Sequence, residues 1–391
     1  VIDDSVFNLT SVENVVIHAG LGDDIVDIGD LSGLGIRRVT VDLSRPSGGG
    51  DNATDDVSVD GTTHSDNIYI SAVGGVVTVT GLPAELVVLG ADPTLDRMHV
   101  YGGSGNDVID ASGVFGLKPS AAGFYLYGDD GNDRIVGSTG GDWIYGGAGF
   151  DTLIGGTGND NYVNPIGDTI IEQAGGGIDT VLSGLTFSLE GIANVERLTL
   201  TGGRNIDGTG NELGNRIEGN IGHNVLRGLD GDDVIIGGVG NDTLDGGTGV
   251  DILVGGTGRD LIYPGNDDAP DIIRFLHANE STGARRDVVV GMNLDNEDMF
   301  DLPAMPTSVS PNVTGGVLNE GSFNADLAKA VNSSLPVGGA VLFDPSSGTA
   351  DHANTVYLVV DANGIAGYQA GVDYVIELQD WNGSLDLTDF I

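Results

Sequence analysis

From Gly210 to Tyr263 the chain reads GNELGNRIE, GNIGHNVLR, GLDGDDVII, GGVGNDTLD, GGTGVDILV and GGTGRDLIY, six nonapeptides without a gap. Each opens on glycine. The sixth place holds Asn215, Asn224, Asp233, Asp242, Asp251 and Asp260, and the eighth Ile217, Leu226, Ile235, Leu244, Leu253 and Ile262. A second block runs from Gly128 to Val163 as GDDGNDRIV, GSTGGDWIY, GGAGFDTLI and GGTGNDNYV, with Asp133, Asp142, Asp151 and Asp160 in the sixth place. One further unit, GGSGNDVID, stands ahead of it with Asp107 and Ile109. A short exact period of this kind marks a repeat architecture, so it governs the reading of everything around it.

The chemistry of one unit follows from its residues. An apolar side chain between two outward-facing ones is a three-residue strand, because successive side chains alternate faces. Such a strand is stable only when stacked, which buries a ladder of Ile and Leu. The glycines of the other half permit tight turning and leave backbone carbonyls uncovered. Stacked turns then bring carboxylates into register, where two of them about 4 Å apart repel by roughly 1 to 4 kcal/mol. A hard cation that accepts carboxylate and carbonyl oxygens removes this repulsion. Ca²⁺ takes about 6 to 8 oxygen ligands in flexible geometry, whereas Mg²⁺ demands an octahedron and keeps its waters. The sequence therefore points to calcium.

Composition narrows the alternatives. Of 391 residues 58 are acidic and 15 basic, a formal charge of −43, and aspartate outnumbers glutamate about fourfold. A surface this negative repels nucleic acid and anionic lipid. No apolar run reaches the length of a membrane span. With no cysteine, disulfides and thiolate-ligated metals are excluded. Glycine at 67 positions without a G-X-Y period is not collagen. High net charge opposes collapse, yet 39% of residues are hydrophobic, enough for a core once the aspartates are neutralised.

The units resemble the GGxGxDxUx repeat of the RTX (repeats-in-toxin, hemolysin-type) family. The resemblance implies an all-β fold: a right-handed parallel β-roll with two nonapeptides per coil and several Ca²⁺ ions between turns. Same-edge partners are then 18 residues apart, Asp133 with Asp151, Asp142 with Asp160, Asp233 with Asp251 and Asp242 with Asp260. The implied metal ligands are Asp107, Gly128, Asp130, Gly131, Asp133, Gly137, Asp142, Gly146, Gly149, Asp151, Gly155 and Asp160 in the first block. In the second they are Gly228, Asp230, Asp233, Gly237, Asp242, Gly246, Asp251, Gly255 and Asp260. Asn215 and Asn224 offer a neutral oxygen where the family has a carboxylate, so their sites are expected to be weak or empty.

The flanks divide into further expected regions. Residues 1–100 read as a degenerate β-solenoid, with imperfect units AGLGDDIVD (Asp24) and GTTHSDNIY (Asp66) and alternating segments Arg38–Leu43, Asn67–Ser71 and Val76–Thr80. A separate β-sandwich is the competing reading. Residues 101–163 form the first repeat block and 164–209 a β spacer, with strands expected at Thr180–Leu189 and Val195–Thr201 and a lone candidate ligand in Asp179. Residues 210–273 form the second block, with Asp271 as a last candidate. Residues 274–391 are expected to cap the roll, with a helix around Phe323–Ser333 and strands at Thr355–Val360 and Asp373–Leu378. This region is similar to the closing domains of RTX surface proteins and serralysin-type proteases. Its last residues, SLDLTDFI, resemble the uncleaved signal read by type I secretion machinery. Asp361, Asn363 and Gly364 only begin an EF-hand pattern, since Ile365 and Ala366 fall where the next ligand and the turn glycine belong.

No catalytic signature emerges. The chain has no H-E-x-x-H, no G-x-S-x-G and no GK[ST], and its six histidines are scattered. Tyr101, Tyr125, Tyr127, Trp143 and Tyr145 suggest either edge packing or a sugar-binding strip. The expectation is a non-enzymatic, calcium-binding structural or adhesive protein of a bacterial surface. It would fold outside the cell after type I secretion, self-associating or meeting surface polysaccharide. The competing expectation is the folding and export module of a secreted protease, lipase or epimerase; the opening at Val1 in β-type sequence, without Met, fits a piece of a longer product.

Overall fold

The structure is a computed structural model. It describes residues 12–45, 50–92, 95–114, 123–265, 267–277, 279–296, 298–348, 350 and 355–391. Two compact units divide the chain: Val1–Leu182 with Ile192–Val195, and Ser183–Gly191 with Glu196–Ile391.

In the first unit two sheets of mostly parallel strands face each other. One contains Asn14–His18, Arg38–Asp42, Glu85–Leu89, Val76–Thr80, Asn67–Val73, Val108–Val114, Arg134–Val136, Thr152–Ile154 and Thr169–Ile171, in that spatial order. The other runs from Ile25–Ile28 through Asp56–Thr62, Arg97–Gly103, Phe124–Asp130 and Trp143–Ala148 to Asn161–Val163. Within the block, strand partners are 18 residues apart and parallel, as in Leu126↔Ile144 and Ile135↔Leu153, so two nonapeptides make one coil. The eighth-place residues Ile135, Ile144, Leu153 and Tyr162 are all fully buried. This is the alternation of a strand with one face in the core.

The described residues of the first hundred continue the same two sheets and do not form a separate sandwich. Their irregularity has a local cause. Asn67–Val73 turns at Gly74 and Gly75, both left-handed (φ 62° and 82°), into antiparallel Val76–Thr80, which pairs antiparallel with Glu85–Leu89. Two successive positive φ values match the twist of a two-residue hairpin. One coil is thereby lengthened by a meander, and the parallel order resumes at Val108–Val114.

Two columns of rings lie on the outer face of the second sheet. His99, Tyr125 and Trp143 stack with centroids 4.5 and 5.9 Å apart, and Tyr101, Tyr127 and Tyr145 with 4.4 Å at each step. In-register parallel strands place identical positions above one another, so the rings pack as ladders. Tyr125 and Tyr127 are covered on both faces by their neighbours.

In the second unit, one sheet orders Arg197–Leu200, Arg216–Glu218, Val234–Val239, Ile252–Thr257, Ile272–Arg274 and Met299–Asp301. The spacer strands are shorter than the sequence suggests, at Thr180–Ser183, Phe187–Ser188 and Arg197–Leu200. The facing sheet runs Phe187–Ser188, Gly208–Thr209, Val225–Asp230, Thr243–Thr248, Leu261–Gly265 and Val288–Val290. It then continues into the C-terminal strands Tyr374–Gln379, Thr355–Val360 and Gly339–Asp344, each of these three antiparallel to the next. The helix Phe323–Val331 buries Phe323, Leu327 and Val331 against Val341, Phe343, Tyr357 and Val375. The repeat sheet therefore does not end on an open edge there, which would invite pairing with another chain.

Arg286 lies at the junction of repeat and C-terminal strands. It is 1% exposed, pairs with Glu377 at 2.7 Å and Glu320 at 2.7 Å, and lies 4.0 Å over the Phe323 ring. The C-terminal residues are docked as well. Phe390 is buried, its ring 6.0 Å from that of Phe300, and the Ile391 N–H donates to the Phe300 carbonyl.

Candidate metal centre

The turn half of each nonapeptide carries the candidate ligands. In the stacked turns the Oδ1 of one aspartate accepts the backbone N–H of the aspartate one coil earlier. The Asp133 N–H donates to Asp151 (2.7 Å), Asp142 to Asp160 (2.7 Å), Asp233 to Asp251 (2.8 Å) and Asp242 to Asp260 (2.8 Å). The four pairs expected 18 residues apart are thus direct neighbours, joined by hydrogen bonds. Asn215 and Asn224 occupy the same ladder, donating to Asp233 and Asp242.

The ladder extends beyond the repeats. The Asp66 N–H donates to Asp107 and the Asp107 N–H to Asp133, across 41 and 26 residues. Asp24 leads to Asp55, and Asp55 to Asp96. Asp151 leads to Asp168 and Asp160 to Asp179. In the second unit Asp251 continues to Asp271 and on to Asp298, and Asp260 to Asp287. Asp55, Asp96, Asp168, Asp287 and Asp298 are missed when only nine-residue spacing is followed. Their common signal is aspartate followed two places later by an apolar residue that is buried or nearly so, as in Asp55–Val57, Asp96–Met98, Asp168–Ile170, Asp287–Val289 and Asp298–Phe300.

A second, outer ladder runs in the opposite sense through the fifth place of each unit. The Asn132 N–H donates to Asn106 Oδ1 and the Phe150 N–H to Asn132 Oδ1. In the second unit His223 donates its N–H to Asn205, Asn241 to His223 Nδ1, and Arg259 to Asn241. It accounts for amide side chains that the repeat pattern leaves unexplained.

The inner ladder fits a multivalent cation. Oδ2 of Asp107, Asp133, Asp151, Asp160, Asp233, Asp242, Asp251, Asp260 and Asp287 is buried with no hydrogen-bond donor. A buried acceptor left in this state costs roughly 1–3 kcal/mol, more when charged. The opening glycine of each unit abuts that oxygen. A Cβ on Gly102 would lie 2.7 Å from Asp107 Oδ2 and 2.7 Å from the Gly128 carbonyl oxygen, and one on Gly237 would lie 2.8 Å from Asp242 Oδ2 and 2.5 Å from the Gly255 carbonyl. Gly128, Gly137, Gly146, Gly155, Gly228, Gly246 and Gly255 repeat this placement, so a side chain at any of them would fill the space beside the carboxylate. The left-handed Gly131 and Gly149 (φ 150° and 147°) stack carbonyl against α-carbon.

Electrostatics agree with this fit. Burial, reinforced by neighbouring carboxylates, pushes Asp133 up to about 7, Asp160 to about 9, Asp233 to about 8, and Asp260 and Asp271 to about 7. Without a cation these groups retain protons near neutrality.

Other sequence candidates are placed differently. Asp130 and Asp230 stay exposed, Asp230 accepting from Thr248 Oγ1. Asp24 and Asp66 are only half-buried. Asp160, Glu172 and Asp179 gather one oxygen each within 4.8 Å, and Glu172 also accepts from the Tyr162 hydroxyl. Glu172 was not expected, because it lies in the spacer outside the period. Asp361 accepts three backbone N–H groups, from Gly338, Asn363 and Gly364, which makes it a turn cap.

Stacked coils with buried, in-register aspartates define a parallel β-roll of calcium-binding repeats. The model of the RTX calcium-binding nonapeptide repeat matches in four copies, at residues 99–113, 127–162, 209–244 and 245–268, so the chain carries RTX-type repeats that bind several Ca²⁺ ions. No curated protein matches the chain.

Proposed function

We propose that this is a secreted structural or adhesive protein of a bacterial surface, non-catalytic, whose roll folds when Ca²⁺ reaches it outside the cell. The observation that carries this reading is the row of nine buried carboxylate oxygens without donors. A chain that needs a cation at each of these positions is unfolded where calcium is scarce, hence export-competent. It orders where calcium is millimolar, in the range of extracellular sites of roughly 10⁻⁴ to 10⁻³ M. The residues of calcium-holding turns are then the aspartates with free Oδ2 and the carbonyls facing them.

Two further observations support it. Phe390 and Ile391 are tied to Phe300 in the folded chain, so a signal there is legible only before folding. Histidines among the described residues serve the scaffold: His18 pairs with Asp42, His99 stacks on Tyr125, and His223 joins the outer ladder, while His352 and Lys118 lie outside the described residues. Partners of the surface are further copies of the chain or polysaccharide, met through ring edges and hydroxyls where the ring faces are stacked.

The alternative is the folding and export module of a larger secreted enzyme. The mass of the native polypeptide, with its location in fractionated cultures, tests the choice. A surface-held product of about this size, released by chelator, supports the structural reading. A much larger secreted polypeptide with protease, lipase or epimerase activity overturns it.

A further inference from the structure

Two kinds of turn occur in the aspartate ladder, and the nonapeptide pattern does not separate them. In the nine turns whose ladder Oδ2 has no donor, the residue four places earlier is always left-handed. It is glycine in seven, with φ from 54° to 111°, and Asp129 (67°) and Leu229 (86°) in the others. In five other turns that residue is Thr62, Asp92, Ser138, Asn211 or Asn220, none of them left-handed. There its own N–H donates to the ladder side chain, at 2.7 Å to Asp66, 2.6 Å to Asp96, 2.6 Å to Asp142, 2.7 Å to Asn215 and 3.0 Å to Asn224.

The correlation has a mechanical cause. Changing the sign of φ at this residue reorients the peptide that precedes it. With negative φ its N–H points at the carboxylate and occupies the lone pair. With positive φ the N–H points away and the oxygen is left for a cation. A donor N–H aimed into the turn takes the lone pair that Ca²⁺ would otherwise meet there, so the two compete for the same approach to the oxygen.

We propose that the backbone hand of the second residue in each turn decides whether that turn holds calcium, and that the turn Ser138–Asp142 holds none. This rests on reading the open turns as calcium sites. Gly137, Gly140, Asp142 and Ile144 keep the repeat, yet Asp142 Oδ2 accepts the Ser138 N–H while Oδ1 accepts the Phe124 N–H at 2.9 Å and the Ser138 hydroxyl at 3.3 Å. Three donors thus converge on this carboxylate, one of them at the Oδ2 that is left free in the open turns. It is a fixed point of the first block that needs no cation, and the backbone hand of Ser138, which is not left-handed, is what makes it so.

Reciprocal substitutions in the full chain test this. Calcium bound at saturation is counted by equilibrium dialysis for wild type, Ser138→Gly and Gly238→Ser, with far-UV circular dichroism as the check on folding. Ser138→Gly is expected to bind one more ion than wild type and Gly238→Ser one fewer. An unchanged count in a folded Ser138→Gly overturns the proposal. Amide hydrogen exchange on the wild type tests it without any substitution: the Ser138 N–H stays protected at saturating Ca²⁺, and free exchange there overturns it too. A wild type that binds no calcium would instead remove the calcium reading, with the Ser138 bond still readable by exchange.

Discussion

At the residue scale, the turn backbone carries more information than the ligand type. Leu229 stands where seven other open turns have glycine, at φ 86°, a conformation that costs a non-glycine residue about 1–2 kcal/mol. Its side chain is half-exposed, so little packing is lost on removal. Leu229→Gly is therefore expected to stabilise the calcium-loaded protein by about 1 kcal/mol, less the extra backbone entropy of glycine. Thermal melts at saturating Ca²⁺ measure this, and a lower melting temperature would contradict it. The same logic ranks two ladder residues. Asp242 has a free Oδ2, whereas Asn224 is closed by the Asn220 N–H and itself donates to the Ile206 carbonyl. Asp242→Ala should raise the calcium midpoint of folding more than Asn224→Ala; equal shifts would argue against the ladder as the calcium-binding element. That the Asn215 and Asn224 turns offer no carboxylate was legible from residue type. The closure at Asp142 was not, because it depends on the φ of Ser138, which serine does not dictate.

At the scale of the element, a ladder of buried carboxylates couples folding to pH. In chelator, the folded state holds protons on Asp133, Asp160, Asp233 and Asp260 at pH values where the unfolded chain, with ordinary carboxyls near 4, has released them. Stability of the calcium-free roll is then greatest below about pH 4 and falls as pH rises toward 7 to 9. In chelator the β-structure seen by far-UV circular dichroism should be greater at pH 5 than at pH 8, and the reverse order would contradict the ladder electrostatics. Calcium displaces those protons, so its affinity rises with pH over the same window. The strands were largely readable, since an apolar residue between two outward ones fixes a rung: Val76–Thr80 falls where alternation placed it, and Thr355–Val360, buried along its whole length, falls where a strand was expected. The ladder members Asp55, Asp96, Asp168, Asp287 and Asp298 were not readable by period, because inserted segments stretch or shorten their coils. The aspartate-x-apolar triplet survives those insertions because it spans only the corner and its rung.

At the scale of the whole molecule, −43 of formal charge belongs to a cation-dependent core rather than to disorder. Nine ions would offset less than half of it, leaving a strongly acidic surface that favours solubility. Not all of the stability comes from calcium. Arg286 is buried with Glu377, and Arg286→Met would leave that carboxylate the Gln379 amide and, as its one cation, Arg259 at 3.4 Å. Breaking a buried pair in this way costs about 3–5 kcal/mol, so urea denaturation of the second unit at saturating Ca²⁺ should shift by that amount; no shift would show the pair to be replaceable. This contact spans 91 residues, and the segment Ala284–Asp287 reads as ordinary exposed basic sequence, so only the fold reveals it. The central claim is that calcium and the fold are inseparable, and far-UV circular dichroism of the full chain at neutral pH, first in chelator and then across a Ca²⁺ titration, tests it most directly. The expected result is a largely disordered spectrum that converts cooperatively to β-structure near millimolar Ca²⁺. An unchanged β spectrum in chelator would contradict it.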